Sequence, residues 1–227
     1  MAQDRVEAVE RALTLLDAFS EDEIELSLAD LAEKTGFYKS TILRLSRSLE
    51  RFGYLTRRLN GGFRLGPALW RLGSLYRRDF DLGEHLRPVL RRLRDECGES
   101  ASFYVRDGDV RVCLYRINAR REIRHHLEEG AQLPLRQGAA GKLLLAYDGE
   151  PGDEFDTIRT HGHAVSLGER DAEIAALAVP VRRSDGSLVG ALSLSGLATH
   201  FDDEMRARGI ALLKREATAL AADVPVF

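Results

Sequence analysis

Apolar residues recur through the first third of the chain at helical spacing. Val6, Val9, Leu13 and Leu16 step by three and four, which predicts a helix over residues 3–19 with one apolar stripe. A polar, acidic connection over 20–25 separates it from a short helix over 28–34, with Ser27 as N-cap and Asp30 in its first turn. Leu28, Leu31 and Ala32 form the inward face of that helix, and Gly36 breaks it. The next helix, over 39–52, carries two stripes at once. Ile42, Leu45, Leu49 and Phe52 form the expected buried face, while Ser40, Arg44, Arg47 and Arg51 repeat at the same period on the other side. Gly53 ends it where a left-handed residue is cheap.

Residues 54–56 and 63–65 then flank Arg57, Arg58, Leu59, Asn60, Gly61 and Gly62, a β-hairpin pattern. Two further helices are expected: one over 66–79, with Pro67 in its first turn and Leu69, Leu72 and Tyr76 apolar, and one over 82–97. In the latter Leu86, Val89, Leu90 and Leu93 face inward, with Arg87, Arg91, Arg92 and Arg94 outward. Past Gly98 the period changes to two. Strands are expected over 100–106 and 110–117 around Asp107-Gly108-Asp109, over 123–127, and over 174–181 and 188–195 around Ser184-Asp185-Gly186. Helices cover 139–147 and 202–222, and no element is assigned to the Gly149-, Pro151- and Gly152-containing stretch between 147 and 173. Hairpin-linked strands with flanking helices make the class α+β around an antiparallel sheet.

Charge changes this picture locally. The chain has a formal charge of −3, yet residues 34–78 hold eleven bases against the single acid Glu50. Residues 1–33 hold ten acids and two bases, so the average hides a dipolar layout. A compact basic unit is the electrostatic footprint of a nucleic-acid reader. The remaining classes recede. No apolar run approaches the ~20 residues a membrane helix needs, and residues 1–13 lack a signal core and cleavage site. Cys97 and Cys113 have neither disulfide nor zinc spacing, and His125-His126 and His161-Gly162-His163 are too loosely placed to specify a metal. A cytoplasmic protein without cofactor or metal is expected.

Two helices joined by a short glycine turn form a helix-turn-helix whose second helix suits a major groove, and the hairpin beside it is a wing. The expected DNA contacts are Tyr38, Lys39, Ser40, Thr41, Arg44 and Arg47 on that helix, Arg57 and Arg58 at the wing tip, and Ser27 at the start of the first helix. Arg44 and Arg47 are long enough for a base edge. A protein-interaction module built on the same winged helix is the competing reading, and steep salt dependence would separate the two. An enzyme is not expected, because no acid, base and nucleophile converge and Cys113 has no oriented triad.

Several stretches resemble IclR-type transcriptional regulators: residues 6–13, 28–33, Thr35 through Thr41, Arg44-Leu45 and 49–53 in the first half. In the second half the similar stretches are residues 134–142 with Leu145-Ala146, then Ala178-Val179-Pro180-Val181 and residues 190–196. The resemblance implies a winged helix-turn-helix domain over 1–79, a linker helix over 80–98 and a GAF-like effector-binding and oligomerisation domain over 99–227. It implies a homodimer or dimer of dimers on a pseudo-palindromic operator. The run Gly138-Ala139-Ala140-Gly141-Lys142 is no phosphate loop, since Leu143 stands where Ser or Thr would hold Mg²⁺. Small residues before a helix do let backbone N–H groups approach an anion. Ser193 and Ser195 share one face of a strand, and by resemblance that face lines an effector pocket opposite Ala139 and Ala140, with Cys113 joining from its own strand. A small carboxylate is the expected effector.

Overall fold

The computed structural model describes residues 6–20, 22–79, 82–121 and 127–223, and divides the chain into two compact units, 1–80 and 81–227. The expected strand over 123–127 and the pair His125-His126 fall almost wholly outside the described residues.

In the first unit α1 (Glu7–Asp17), α2 (Leu28–Thr35) and α3 (Lys39–Arg51) precede a hairpin of β1 (Leu55–Arg57) and β2 (Phe63–Leu65), then α4 (Pro67–Asp79). Ser27 begins α2 with a reciprocal cap. Its Oγ accepts from the N–H groups of Ala29 and Asp30, each at 3.2 Å, while its own N–H donates to Asp30 Oδ2 at 2.8 Å. The Ser27 N–H, and after it the Ser27 side chain, hold the Asp30 carboxyl below its ordinary range. Gly36 closes α2 at φ 70°, which Cβ-bearing residues rarely adopt. Leu15, Leu26, Leu31, Ile42, Leu45, Leu55 and Phe63 form the core.

Two expected faces are corrected. In α1 the buried residue is Leu15, with Ala12 and Leu16 half-buried, whereas Val6, Val9 and Leu13 are exposed by 63%, 54% and 54%. The period was helical but the stripe facing this core is a different one. Phe52, assigned to the buried face of α3, is 69% exposed, because the helix stops at Arg51 and the chain turns away at Gly53, φ 76°.

The second unit is a six-stranded antiparallel sheet. Its strands are β3 (Ser100–Asp107), β4 (Val110–Ile117), β5 (Gln132–Pro134), β6 (Ala164–Leu167), β7 (Ile174–Arg182) and β8 (Leu188–Leu197), in the order β5-β4-β3-β8-β7-β6. Helices α5 (Leu82–Cys97) and α8 (Asp203–Asp223) pack on one face, and α6 (Ala139–Tyr147) with α7 (Asp153–His161) on the other. The stretch without an assigned element thus holds α7 and β6, and β5 too was unassigned. Helix α5, expected as a linker, buries Leu86, Val89, Leu90 and Leu93 as anticipated, within this second unit.

Strand alternation explains why one face has room for a cavity. Leu177, Leu192 and Leu194 fall on the α5 and α8 side, where Leu177 and Leu194 lie close to Gly209 of α8. Ala176, Ala178, Ala191, Ser193 and Ser195 fall on the α6 side. Large residues fill one layer, and small ones leave the other open.

Candidate functional site

The sequence-predicted residues of the first unit gather along α3 and the adjoining hairpin. Tyr38, the α3 N-cap, is 84% exposed, and no side chain caps the helix there. Lys39, Ser40, Arg44, Arg47 and Arg51 are exposed and Thr41 is half-buried; of these Ser40, Arg44, Arg47 and Arg51 lie opposite the buried Ile42, Leu45 and Ser46. Ser27 is exposed, and its oxygen accepts the two capping bonds. The wing differs from the expected picture. Arg57 is the last residue of β1 and its guanidinium lies 5.3 Å from the centroid of the Phe63 ring. Glu25 holds the hairpin: it accepts from Asn60 Nδ2 at 2.7 Å and pairs with Arg64 at 3.2 Å and Arg58 at 3.8 Å. The tip is therefore the fully exposed Leu59 beside Asn60 and Gly61, with the two arginines set back.

The second unit holds a narrow cavity of about 40 Å³ between the small-residue face of the sheet and the start of α6. Ala139, Ala140, Ser193 and Ser195 line it, as do Tyr104, Arg111, Gly138, Arg170 and Asp171. Cys113 is fully buried in the adjoining apolar cluster, not on the cavity wall, and burial pushes its thiol up to about 11.

The two serines are chemically unequal. Ser193 donates its proton to Leu177 O at 2.7 Å, leaving only lone pairs for a ligand. Ser195 accepts from Arg116 Nη1 at 3.4 Å, so its own O–H stays available as a donor. Arg116 is itself 6% exposed and donates to Ser102 Oγ and Asn118 Oδ1, each at 2.7 Å. At the start of α6 a carboxylate is already seated. Glu169 accepts from the Gly138 N–H at 3.1 Å and pairs with Lys142, which also binds Glu154 at 2.7 Å.

Arg111, Arg116 and Glu169 were not anticipated. Strand alternation offered a signal for Arg111, which lies two residues before Cys113 and so on the same face. Arg116 had none. A register shift sets Tyr104 opposite Cys113 but Phe103 opposite Tyr115, and this bulge at Leu114 turns Arg116 to the cavity side. Among the described residues no group of three or more His, Cys, Asp or Glu side chains could hold a metal, and no helix is long and apolar enough to cross a membrane.

A winged helix-turn-helix with a basic outer face, in one chain with a sheet domain enclosing a small polar cavity, defines a ligand-responsive DNA-binding regulator. Comparison with known proteins makes the assignment specific. Residues 8–59 match the IclR helix-turn-helix domain, and residues 75–151 and 151–222 match the bacterial transcriptional regulator IclR C-terminal domain. The chain belongs to the IclR family of transcriptional regulators, and neither that family nor its relatives below are enzymes. It is 28% identical over 242 residues to the HTH-type transcriptional regulator XynR of Escherichia coli, covering 95% of this chain and 96% of that one. The IclR transcriptional regulator of Alicyclobacillus acidocaldarius superposes with a TM-score of 0.81 at 25% identity, covering 96% of this chain and 98% of that one. An IclR homologue from Microbacterium hydrocarbonoxydans, complexed with 4-hydroxybenzoate, gives 0.80 at 21% identity with the same coverage. This protein is thus an IclR-family DNA-binding transcriptional regulator with an effector-binding C-terminal domain.

Proposed function

We propose that this regulator acts in the cytoplasm, binding a pseudo-palindromic operator as a dimer or dimer of dimers and releasing or engaging it in response to a small organic acid. One observation carries the DNA half: a single helix buries Ile42 and Leu45 while exposing Tyr38, Lys39, Ser40, Arg44 and Arg47. In this reading α3 enters the major groove. Arg44 and Arg47 read base edges, Lys39 and the Ser40 and Thr41 hydroxyls take phosphates, and Ser27 donates to the flanking backbone. Arg57 and Arg58 reach the backbone from the wing while remaining tethered to Phe63 and Glu25. Self-association draws support from apolar side chains left in solvent in the first unit: Val6, Val9 and Leu13 of α1, and Trp70 (76% exposed), Leu72 and Leu75 of α4.

The effector half rests on the cavity bounded by Ala139, Ala140 and Ser195, with Ser193 as an acceptor and Cys113 as apolar backing. The 4-hydroxybenzoate in the Microbacterium homologue supports an organic acid as ligand class. The decisive experiment pairs a gel shift of Arg44→Ala on the operator with calorimetric titration of the wild type and Ser195→Ala against a panel of organic acids. Wild-type operator affinity in Arg44→Ala, or no acid binding at millimolar concentration, would sink the respective half.

A further inference from the structure

Arg111 is buried to 5% exposure on β4, between β3 and β5, a costly place for a charge. The fold makes deliberate room for it. An added Cβ at Gly138 would lie 3.1 Å from its Nη2, and one at Gly141 would collide with its Nη1 and with the Leu135 carbonyl. The two glycines of the Gly138-Ala139-Ala140-Gly141 run therefore serve the guanidinium as well as any ligand. The ring of Tyr104 lies 5.6 Å beneath it.

Its hydrogen bonds divide unevenly. Nη1 donates to the carbonyls of Pro134 and Gln137, the latter at 2.5 Å, which ties β5 and the start of α6 to the strand. Nε is buried and has no partner among the described residues, while Arg111 as a whole lines the cavity. A buried charged N–H without an acceptor is expensive unless something else accepts from it. The Nε–Nη2 edge of a guanidinium is one of the two edges that grip a carboxylate through parallel hydrogen bonds. Burial also draws the guanidinium below its ordinary range.

The surrounding acids do not fill this role. Glu169 is engaged by the Gly138 N–H and Lys142, and Asp171 turns back to accept from the Glu173 N–H at 3.0 Å. Glu169 thus already occupies one N–H at the start of α6.

We propose that Arg111 is the anion-binding residue of the effector cavity, gripping the carboxylate of a small organic acid along its Nε–Nη2 edge while Ser195 donates a further hydrogen bond. This rests on the organic-acid reading above. It assigns the charge recognition to β4 and leaves the α6 start to Glu169.

The test compares acids with their amides. The full-length protein is titrated calorimetrically with benzoate, 4-hydroxybenzoate, pyruvate and succinate, and with benzamide, 4-hydroxybenzamide, pyruvamide and succinamide. The wild type should prefer an acid to its amide. Arg111→Lys should weaken the acid by about 10- to 100-fold, the loss of one charge-assisted bond, and Arg111→Met should bring the acid-to-amide ratio near one. A merely structural Arg111 would weaken acid and amide together and leave that ratio unchanged, which overturns the proposal while the organic-acid reading stands. If the wild type binds none of the acids, the organic-acid reading fails and the proposal with it. Should the Arg111 variants not fold, the Nε–H resonance of Arg111 in the wild type decides. A shift on adding the bound acid supports the assignment, and an unmoved resonance at saturation overturns it.

Discussion

Replacing Arg44 by alanine separates recognition of base sequence from attraction to phosphate. Arg44 is exposed on α3, one turn past the exposed Ser40 and on the side opposite Ile42. Neither an ion pair nor a side-chain hydrogen bond within the described residues occupies it. Truncation therefore removes no packing, and stability should change by no more than about 0.5 kcal/mol. A bidentate arginine–guanine contact discriminates by about 1–3 kcal/mol per half-site. A dimer loses two, so the specific complex should weaken by about 2–6 kcal/mol, roughly 30-fold at the low end and beyond 10⁴-fold at the high end. Lys39→Ala is the control, since a phosphate contact weakens every sequence alike and lowers the salt slope by about one unit per contact. Fluorescence anisotropy on an operator duplex and on a scrambled duplex, repeated over a range of KCl concentrations, reads both effects. Arg44→Ala should collapse the ratio of operator to scrambled affinity, and Lys39→Ala should preserve the ratio while flattening the salt dependence. An Arg44→Ala protein that keeps the wild-type ratio would refute base reading by this residue.

Three stability predictions follow from particular contacts. Ser27→Ala deletes the acceptor of two N–H groups at the start of α2 and should cost about 1 kcal/mol in chemical denaturation, whereas Ser27→Gly should cost only a few tenths; equal losses would show that the cap is not the cause. Ser46 is 1% exposed and its hydroxyl has no partner among the described residues, so Ser46→Ala should be neutral or stabilising by up to about 1 kcal/mol, and a drop in melting temperature would reveal a bond to that oxygen. Burial alone would raise the Glu216 carboxyl, but hydrogen bonds from Arg92 at 2.7 Å and Arg215 at 3.0 Å prevail and hold it below its usual 4.5. Its folded pKa lies under its unfolded one, so its contribution is complete above about pH 4.5 and fades as pH falls through the lowered value. Glu216→Gln should flatten the acid limb of the stability–pH curve, and an unchanged limb would remove Glu216 from the account.

Local rules carried the reader helix a long way. The two stripes of α3, the Ser27 cap, the Gly36 turn and the wing follow from spacing and from glycine's freedom, because helical phase and capping act within a few residues. The inward face of α5 and the β3–β4 hairpin were readable for the same reason. What failed depended on partners distant in the chain. The period of α1 was right, but which stripe the core covers is decided by α2 and α3, so Val6, Val9 and Leu13 stand in solvent. Phe52 obeyed the α3 period, yet it lies past the helix end.

For the cavity, strand alternation put Ser193 and Ser195 on one face, and the family resemblance set that face opposite Ala139 and Ala140 as a pocket wall, where all four stand. Their chemistry was a tertiary matter. Ser193 and Ser195 became unequal through Leu177 on a neighbouring strand and Arg116, which a one-residue bulge redirected. Glu169 reached the start of α6 from the loop between β6, a strand the sequence pattern had not identified, and β7. Arg111 looks like a surface arginine on an alternating strand until β5, α6 and Tyr104 enclose it. Sequence by itself determined the winged reader and the small-residue layer, because each is written in spacing along one element. Only the tertiary structure decided where a buried positive charge meets an open polar space, because β3, β5 and the start of α6, all separate in the chain from β4, enclose that charge.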